Sequence, residues 1–282
     1  MRANLPDTVT VYGNLANAVI GAGDLTRGFE LQAKALEAAE RFGLASDLRT
    51  SRWEQISQDY WQGRWDAAME TADQLLAAAD AGSEHFMERA GRQMRGLVRL
   101  ARGDLPGALA DAARAVSLAT RLEDVEAVPP ALAFRARALL ASGQVDQAAA
   151  VADELLAELA GRGAFPTNPD WAGDLAIVLR ALGRSAELTR LAAAAAIPTP
   201  WLAAAAAVVT GDYGRAAELY ADIGSLPDEA HARLRAGGQL LEAGRRAEGT
   251  AQVERALGFY RQVGASAYLR EAEALLAVAA SP

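Results

Sequence analysis

Five arginines, Arg89, Arg92, Arg95, Arg99 and Arg102, recur at intervals of three and four residues and therefore share one face of a helix. Guanidinium groups in such a row can grip a carboxylate, a phosphate or an acidic peptide through paired hydrogen bonds. The same row can instead be a structural stripe neutralised by Glu88 and by Asp59, Asp66 and Asp111. Just upstream, Trp53, Tyr60, Trp61 and Trp65 concentrate the aromatic residues, with Trp53 and Tyr60 seven apart on one helical face. Aromatics so spaced build either a core or a partner-binding surface. Reactive chemistry is poorly provided for. His85 and His231 stand far apart, and neither a His-Glu-x-x-His nor a Gly-x-Ser-x-Gly pattern occurs. Glu123, Asp124 and Glu126, like Glu271 and Glu273, read as solvated helix ends. The glycines of Gly21-Ala-Gly23-Asp-Leu-Thr-Arg-Gly28 lack the Gly-Lys-Ser/Thr ending of a phosphate loop and follow a helix rather than a strand. The expectation is a chain without catalytic residues, metal ligands or a cofactor site. Arg92, Arg95, Arg99, Arg102, Trp53, Tyr60 and Trp61 are its candidate partner-binding residues.

The whole composition narrows the classes further. The 282 residues carry 28 Lys plus Arg against 36 Asp plus Glu, a formal net charge of -8, and Lys34 is the one lysine. An acidic chain repels phosphate backbones on average, which disfavours nucleic acid as a partner. Cysteine is absent, which removes disulfides, thiol catalysis and thiolate metal sites and accords with a cytoplasmic location. Residues 1–7 lack the apolar core of a secretion signal. No apolar run reaches the roughly 18 residues of a membrane span; Pro198 and Pro200 split the longest.

The elements that position these side chains are marked by glycine. Gly23, Gly63, Gly103, Gly143 and Gly183 lie forty residues apart, and Gly211 and Gly244 follow at shorter intervals. A fixed period of this size signals stacked repeats. Each glycine ends one apolar-periodic stretch and precedes another, so each unit reads as helix, tight turn, helix. Asp24 after Gly23 is placed to cap the second helix. Helices are expected over about 7–22, 25–42, 46–62, 65–81, 84–102, 106–121, 129–142, 145–160, 171–182, 185–196, 201–210, 213–223, 228–243, 247–263 and 267–280. No strand-like alternation is sustained. Five residues after each turn glycine stands Gly28, Ala68, Ala108, Ala148, Leu188, Ala216 or Gly249; seven further on come Ala35, Leu75, Ala115, Leu155, Ala195, Ile223 and Ala256. Small residues there let helix axes approach closely while larger ones fill the gaps. The Gly- and Pro-rich stretch at 161–170 is the candidate hinge, dividing 1–160, with its four regular repeats, from 171–282.

This pattern resembles the tetratricopeptide repeat (TPR), most closely in Gly211-Asp-Tyr213…Ala216…Ile223 and Gly103-Asp-Leu105…Ala108…Ala115. Gly96 and Gly237 fall on the family's small position in the first helix. The forty-residue period exceeds the family's usual length of about 34, implying longer helices. The tail Ala256-Leu-Gly-Phe-Tyr-Arg-Gln-Val-Gly-Ala-Ser-Ala-Tyr-Leu-Arg-Glu-Ala-Glu-Ala-Leu-Leu276 is similar to the ends of large bacterial signalling ATPases, including LuxR-type regulators and ATPases fused to nucleotide cyclases. The resemblance implies an all-α, right-handed superhelix (a TPR-like solenoid) of about seven hairpins across 1–282, with first helices lining a concave face. It implies a non-catalytic protein–protein interaction scaffold, the sensor or partner-binding end of a larger bacterial signalling or transcriptional regulator. Its partner would be a protein, peptide, neighbouring domain or second copy held in the groove. Trp53 and Trp61 fall near groove-lining positions, and Trp65 falls in a core slot. The Lys and Asn pattern with which some TPR domains clamp a terminal carboxylate is not reproduced. Two other classes remain: a helical-repeat nucleic-acid binder, and an all-α enzyme using the groove, which convergent carboxylates or histidines in a deep pocket would signal.

Overall fold

The computed structural model describes residues 5–121, 126–162 and 168–280, and among them every regular element is helical. In chain order these are α1 (Leu5–Gly21), α2 (Leu25–Phe42), α3 (Ala45–Trp61), α4 (Trp65–Asp80), α5 (Glu88–Arg102), α6 (Leu105–Arg121), α7 (Val128–Ala141) and α8 (Val145–Arg162). They continue as α9 (Ala172–Ala181), α10 (Ser185–Ala194), α11 (Pro200–Thr210), α12 (Tyr213–Ile223), α13 (Leu226–Glu242), α14 (Arg246–Val263) and α15 (Ser266–Ala280). The expected helices all form, most within a residue or two of their predicted ends. The exception is α5, which begins at Glu88 rather than Glu84 because Ser83 to Phe86 make a connection in which Arg49 donates to the Ser83 and Glu84 carbonyls. Of the candidate hinge, residues 163–167 lie outside the described residues, as do Glu123 and Asp124.

All seven turn glycines have positive φ. At Gly103 (φ 84°) the left-handed conformation lets its N–H and that of Asp104 close the end of α5 on Leu100 and Arg99, with no Cβ to oppose it. The Asp104 carboxylate then accepts from Gly107 N at 3.0 Å. Asp24 does the same for Arg27 N at 2.8 Å and Asp212 for Arg215 N at 3.1 Å, caps each worth about 1 kcal/mol.

The small positions do what the spacing predicts. Ala68, Ala108, Ala148, Leu188 and Ala216 are buried, as are Gly28 and Gly249, and the second series is buried except at Ala195, which is half-buried beyond the end of α10. At Gly237 a Cβ would lie 2.5 Å from Val253 Cγ2 and 3.0 Å from the Gly249 carbonyl, so α13 and α14 cross glycine to glycine. At Gly96 the ring of Phe134 occupies the space.

Consecutive helices pack in chain order, and the odd-numbered ones also pack on one another: α3 on α5, α5 on α7, α7 on α9, α9 on α11 and α13 on α15. The chain then returns on itself. Helix α13 touches α3, and α15 lies against α5. Trp201 Nε1 donates to the Ile20 carbonyl (2.7 Å), Ser266 Oγ to the Arg102 carbonyl (2.7 Å) and Arg102 Nη2 to the Val263 carbonyl (2.9 Å). Phe259 meets Trp65 edge to face at 5.7 Å. One apolar core therefore runs from Ile20 to Ala272.

Two glycine substitutions separate packing from backbone effects. Gly96→Ala should destabilise by about 1–3 kcal/mol through overpacking against Phe134. Gly258→Ala, in a helix and with nothing within 4 Å of the added carbon, should stabilise by about 0.5–1 kcal/mol. Urea melts of the two variants measure both.

Candidate binding cleft

The arginine row of α5 is neutralised from inside the molecule. Asp111 of α6, whose side chain is 2% exposed, receives Arg95 (2.6 Å) and Arg99 (2.8 Å), with Arg92 at 3.7 Å. Arg92 also reaches Glu88 (2.9 Å) and Asp80 (2.5 Å), and Arg95 reaches Asp73 (2.8 Å). Arg102 bridges Asp66 (2.6 Å) and the Val263 carbonyl. Asp66, Asp73 and Asp80 stand seven apart on α4, so the row is an antiparallel ladder between α4 and α5, locked on its other side by α6. Asp59, expected as a partner, instead holds Arg64 at 2.6 Å.

Trp53, Tyr60 and Trp61 are withdrawn from any free surface. Trp53, 1% exposed, stacks on His85 at 5.7 Å and fills the space above Gly91. Tyr60 stacks on Trp65 at 5.7 Å. Trp61 lies between Phe29 (6.3 Å) and Trp201 (6.2 Å), so α11 covers it. Trp53 is covered locally by α5 and the connection before it, whereas Trp61 is covered by the return of α11.

What that return leaves open is elsewhere. A cleft of about 360 Å³ lies among α5, α7, α9, α13 and α15 and the start of α6. Leu100, Leu105, Leu140 and Ile177 form apolar walls; Arg137, His231, Arg235, Tyr268, Arg270 and Glu271 supply polar groups. Arg137 of α7 pairs with Asp174 of α9 and donates to Tyr268 Oη at 3.2 Å. Arg235 of α13 pairs with both oxygens of Glu271 on α15, the second at 3.0 Å, and its Nε approaches His231 Nε2 at 3.4 Å. Burial, then Arg235 and Arg137, hold the His231 imidazole well below its ordinary pKa, so it is neutral.

Behind Arg137 lies a second, smaller space of about 20 Å³, lined by Tyr60, Gln93, Asp170, Asp174 and Asp228 among others. Three carboxylates and the Arg137 guanidinium thus line one space. Asp174 takes the ion pair, while Ser225 Oγ donates to Asp228 at 2.6 Å. Burial pushes the Asp170 carboxyl up to about 7 against the pull of Arg89, and the Asp228 carboxyl up to about 6. Convergent acids of this kind suit proton transfer, but a space of this size admits one water and no substrate. Among the described residues no group of three His, Asp or Glu is arranged to hold a metal ion, and no helix is long and apolar enough to cross a membrane.

The polar cleft residues form no local motif, because α7, α13 and α15 bring them together from distant parts of the chain. A signal was present nonetheless: Arg137 on α7 and Asp174 on α9 lie 37 residues apart, and Arg235 on α13 and Glu271 on α15 lie 36 apart. In a stacked array, opposite charges about one period apart on corresponding helices are neighbours. No protein-family model and no curated protein matches the chain.

Asp111→Ala should cost on the order of 3 kcal/mol by removing the buried carboxylate that Arg92, Arg95 and Arg99 share, whereas Asp66→Ala, at a side chain 93% exposed, should cost no more than about 1 kcal/mol; paired chemical melts decide. A pH titration of stability tests the acid cluster. Asp170 and Asp228 bind protons more tightly folded than unfolded, so their contribution is complete below the unfolded value of 3.8 and is lost as pH rises through about 6 and 7. Glu54, raised by burial to about 7, acts in the same sense, and His231 acts in the opposite sense below 6.5. The double variant Asp170→Asn/Asp228→Asn should therefore lose less Tm than wild type between pH 5 and 8, at about 2–4 °C per kcal/mol.

Proposed function

We propose that the chain is a TPR-like recognition module: a right-handed superhelix of about seven hairpins that works by non-covalent binding and serves as the sensory end of a larger bacterial signalling regulator. The regular glycine turns, the small residues at each crossing and the packing of odd-numbered helices on one another support the superhelix. The resemblance of the tail around Ala256 to Leu276 supports the place in a regulator. The observation that carries the function is the cleft itself. It falls where the last helices meet α5, α7 and α9, so an occupant touches both sides of that junction and favours the arrangement in which they are together. A protein or peptide partner is better placed on the outer surface than against Trp53, Tyr60 and Trp61, which are buried. A helical enzyme is the second class, favoured by the acid cluster of Asp170, Asp174 and Asp228.

A thermal-shift screen of small metabolites against the whole chain distinguishes the two. A cleft ligand should raise Tm with concentration, by about 2.7 kcal/mol of added stability at a hundredfold excess over Kd, and should be recovered chemically unchanged. Time-dependent conversion of the stabilising compound would establish the enzyme instead.

A further inference from the structure

We propose that the cleft takes an amphiphilic organic anion: a carboxylate or phosphate monoester on an apolar body of about eight carbons. The assignment rests on the recognition reading above and names its ligand class. The chemistry of the lining carries it. Every polar group that faces the cleft, except one, is a donor. Arg137, Arg235 and Arg270 each carry five N–H groups, and the contacts made to Asp174, Tyr268, His231 and Glu271 leave donors over. Tyr268 Oη accepts from Arg137, so its own proton is free to be given. His231 Nε2 accepts from Arg235, which places the ring proton on Nδ1. The exception, Glu271, already has both oxygens on Arg235.

Arg270 has no carboxylate partner among the described residues, and its Nη2 lies beside the Gly103 turn at the cleft wall. Asp174 answers Arg137 and Glu271 answers Arg235, so Arg270 is the cleft cation that a bound anion would neutralise. The remaining walls, Leu100, Leu105, Leu140 and Ile177, offer no polar partner and call for hydrocarbon. A volume of about 360 Å³ suits a small molecule and excludes a folded partner.

The test is calorimetric titration of the whole chain with octanoate and octyl phosphate, alongside 1-octanol and inorganic phosphate. Octanoate or octyl phosphate should bind saturably, with 1-octanol and inorganic phosphate each at least tenfold weaker. Arg270→Ala and Leu105→Glu should each weaken the anionic amphiphile at least tenfold, and Arg215→Ala, on the exposed start of α12, should leave it unchanged. Circular dichroism of each variant confirms that it is folded, and loss of binding counts only in a folded variant. No saturable binding of either amphiphile up to 10 mM, octanol binding as tightly as octanoate, or an unchanged affinity in Arg270→Ala would overturn the ligand class while leaving recognition intact. Conversion of octanoate or octyl phosphate during the titration would overturn the recognition reading.

Discussion

A helical hairpin has two sides to cover and can cover neither alone. That constraint governs this chain from residue to site. The glycine turns bring two helices side by side, the small residues beyond them let the axes close, and each pair is left with apolar faces that only its neighbours can bury. Along most of the chain the next pair supplies the cover. For the aromatic face of α3 the cover comes from far away in sequence: Trp201 reaches the Ile20 carbonyl, Trp61 meets Trp201, and Phe259 meets Trp65. The return of α11 to α15 thus buries large apolar rings that the neighbouring pairs leave uncovered.

Polar residues caught under that return must be satisfied in place, because a buried unpaired charge costs several kcal/mol. Arg137 finds Asp174 and Tyr268, Arg235 finds Glu271, and Asp170 and Asp228 are held toward their neutral forms by burial. Where the helices do not quite meet, the same groups line a cleft rich in donors. The candidate site is in this sense the incompletely filled part of the junction, and its chemistry follows from which residues the junction had to neutralise.

The helices and their joints were legible in the sequence, since glycine at Gly103 or Gly211 and aspartate beside it act locally, within one turn. The small positions were legible too, because Ala108 and Ala148 repeat at the period of the fold. The arginine ladder was half legible: Asp111 and Asp66 were recognisable partners, but Asp73 and Asp80 belong to a register between α4 and α5 that spacing alone does not set. The aromatic cluster was recognised and its surroundings were not, because the rings that cover Trp61 and Trp65 lie some 140 to 190 residues further on. Tyr268 is 131 residues from Arg137. Contacts of that separation depend on how several helix pairs pack in succession, which no single pair encodes.

The central claim is that the end of the chain is seated on its beginning in solution. Arg102 touches both Asp66 and the Val263 carbonyl, so Ala67 on α4 and Gln262 on α14 are near one another. The chain has no cysteine, so the variant Ala67→Cys/Gln262→Cys places spin labels at these two exposed positions alone. Pulsed electron–electron spectroscopy should return a single narrow distribution at short distance. A broad distribution centred at long distance, as an open array of helices would produce, would contradict the account.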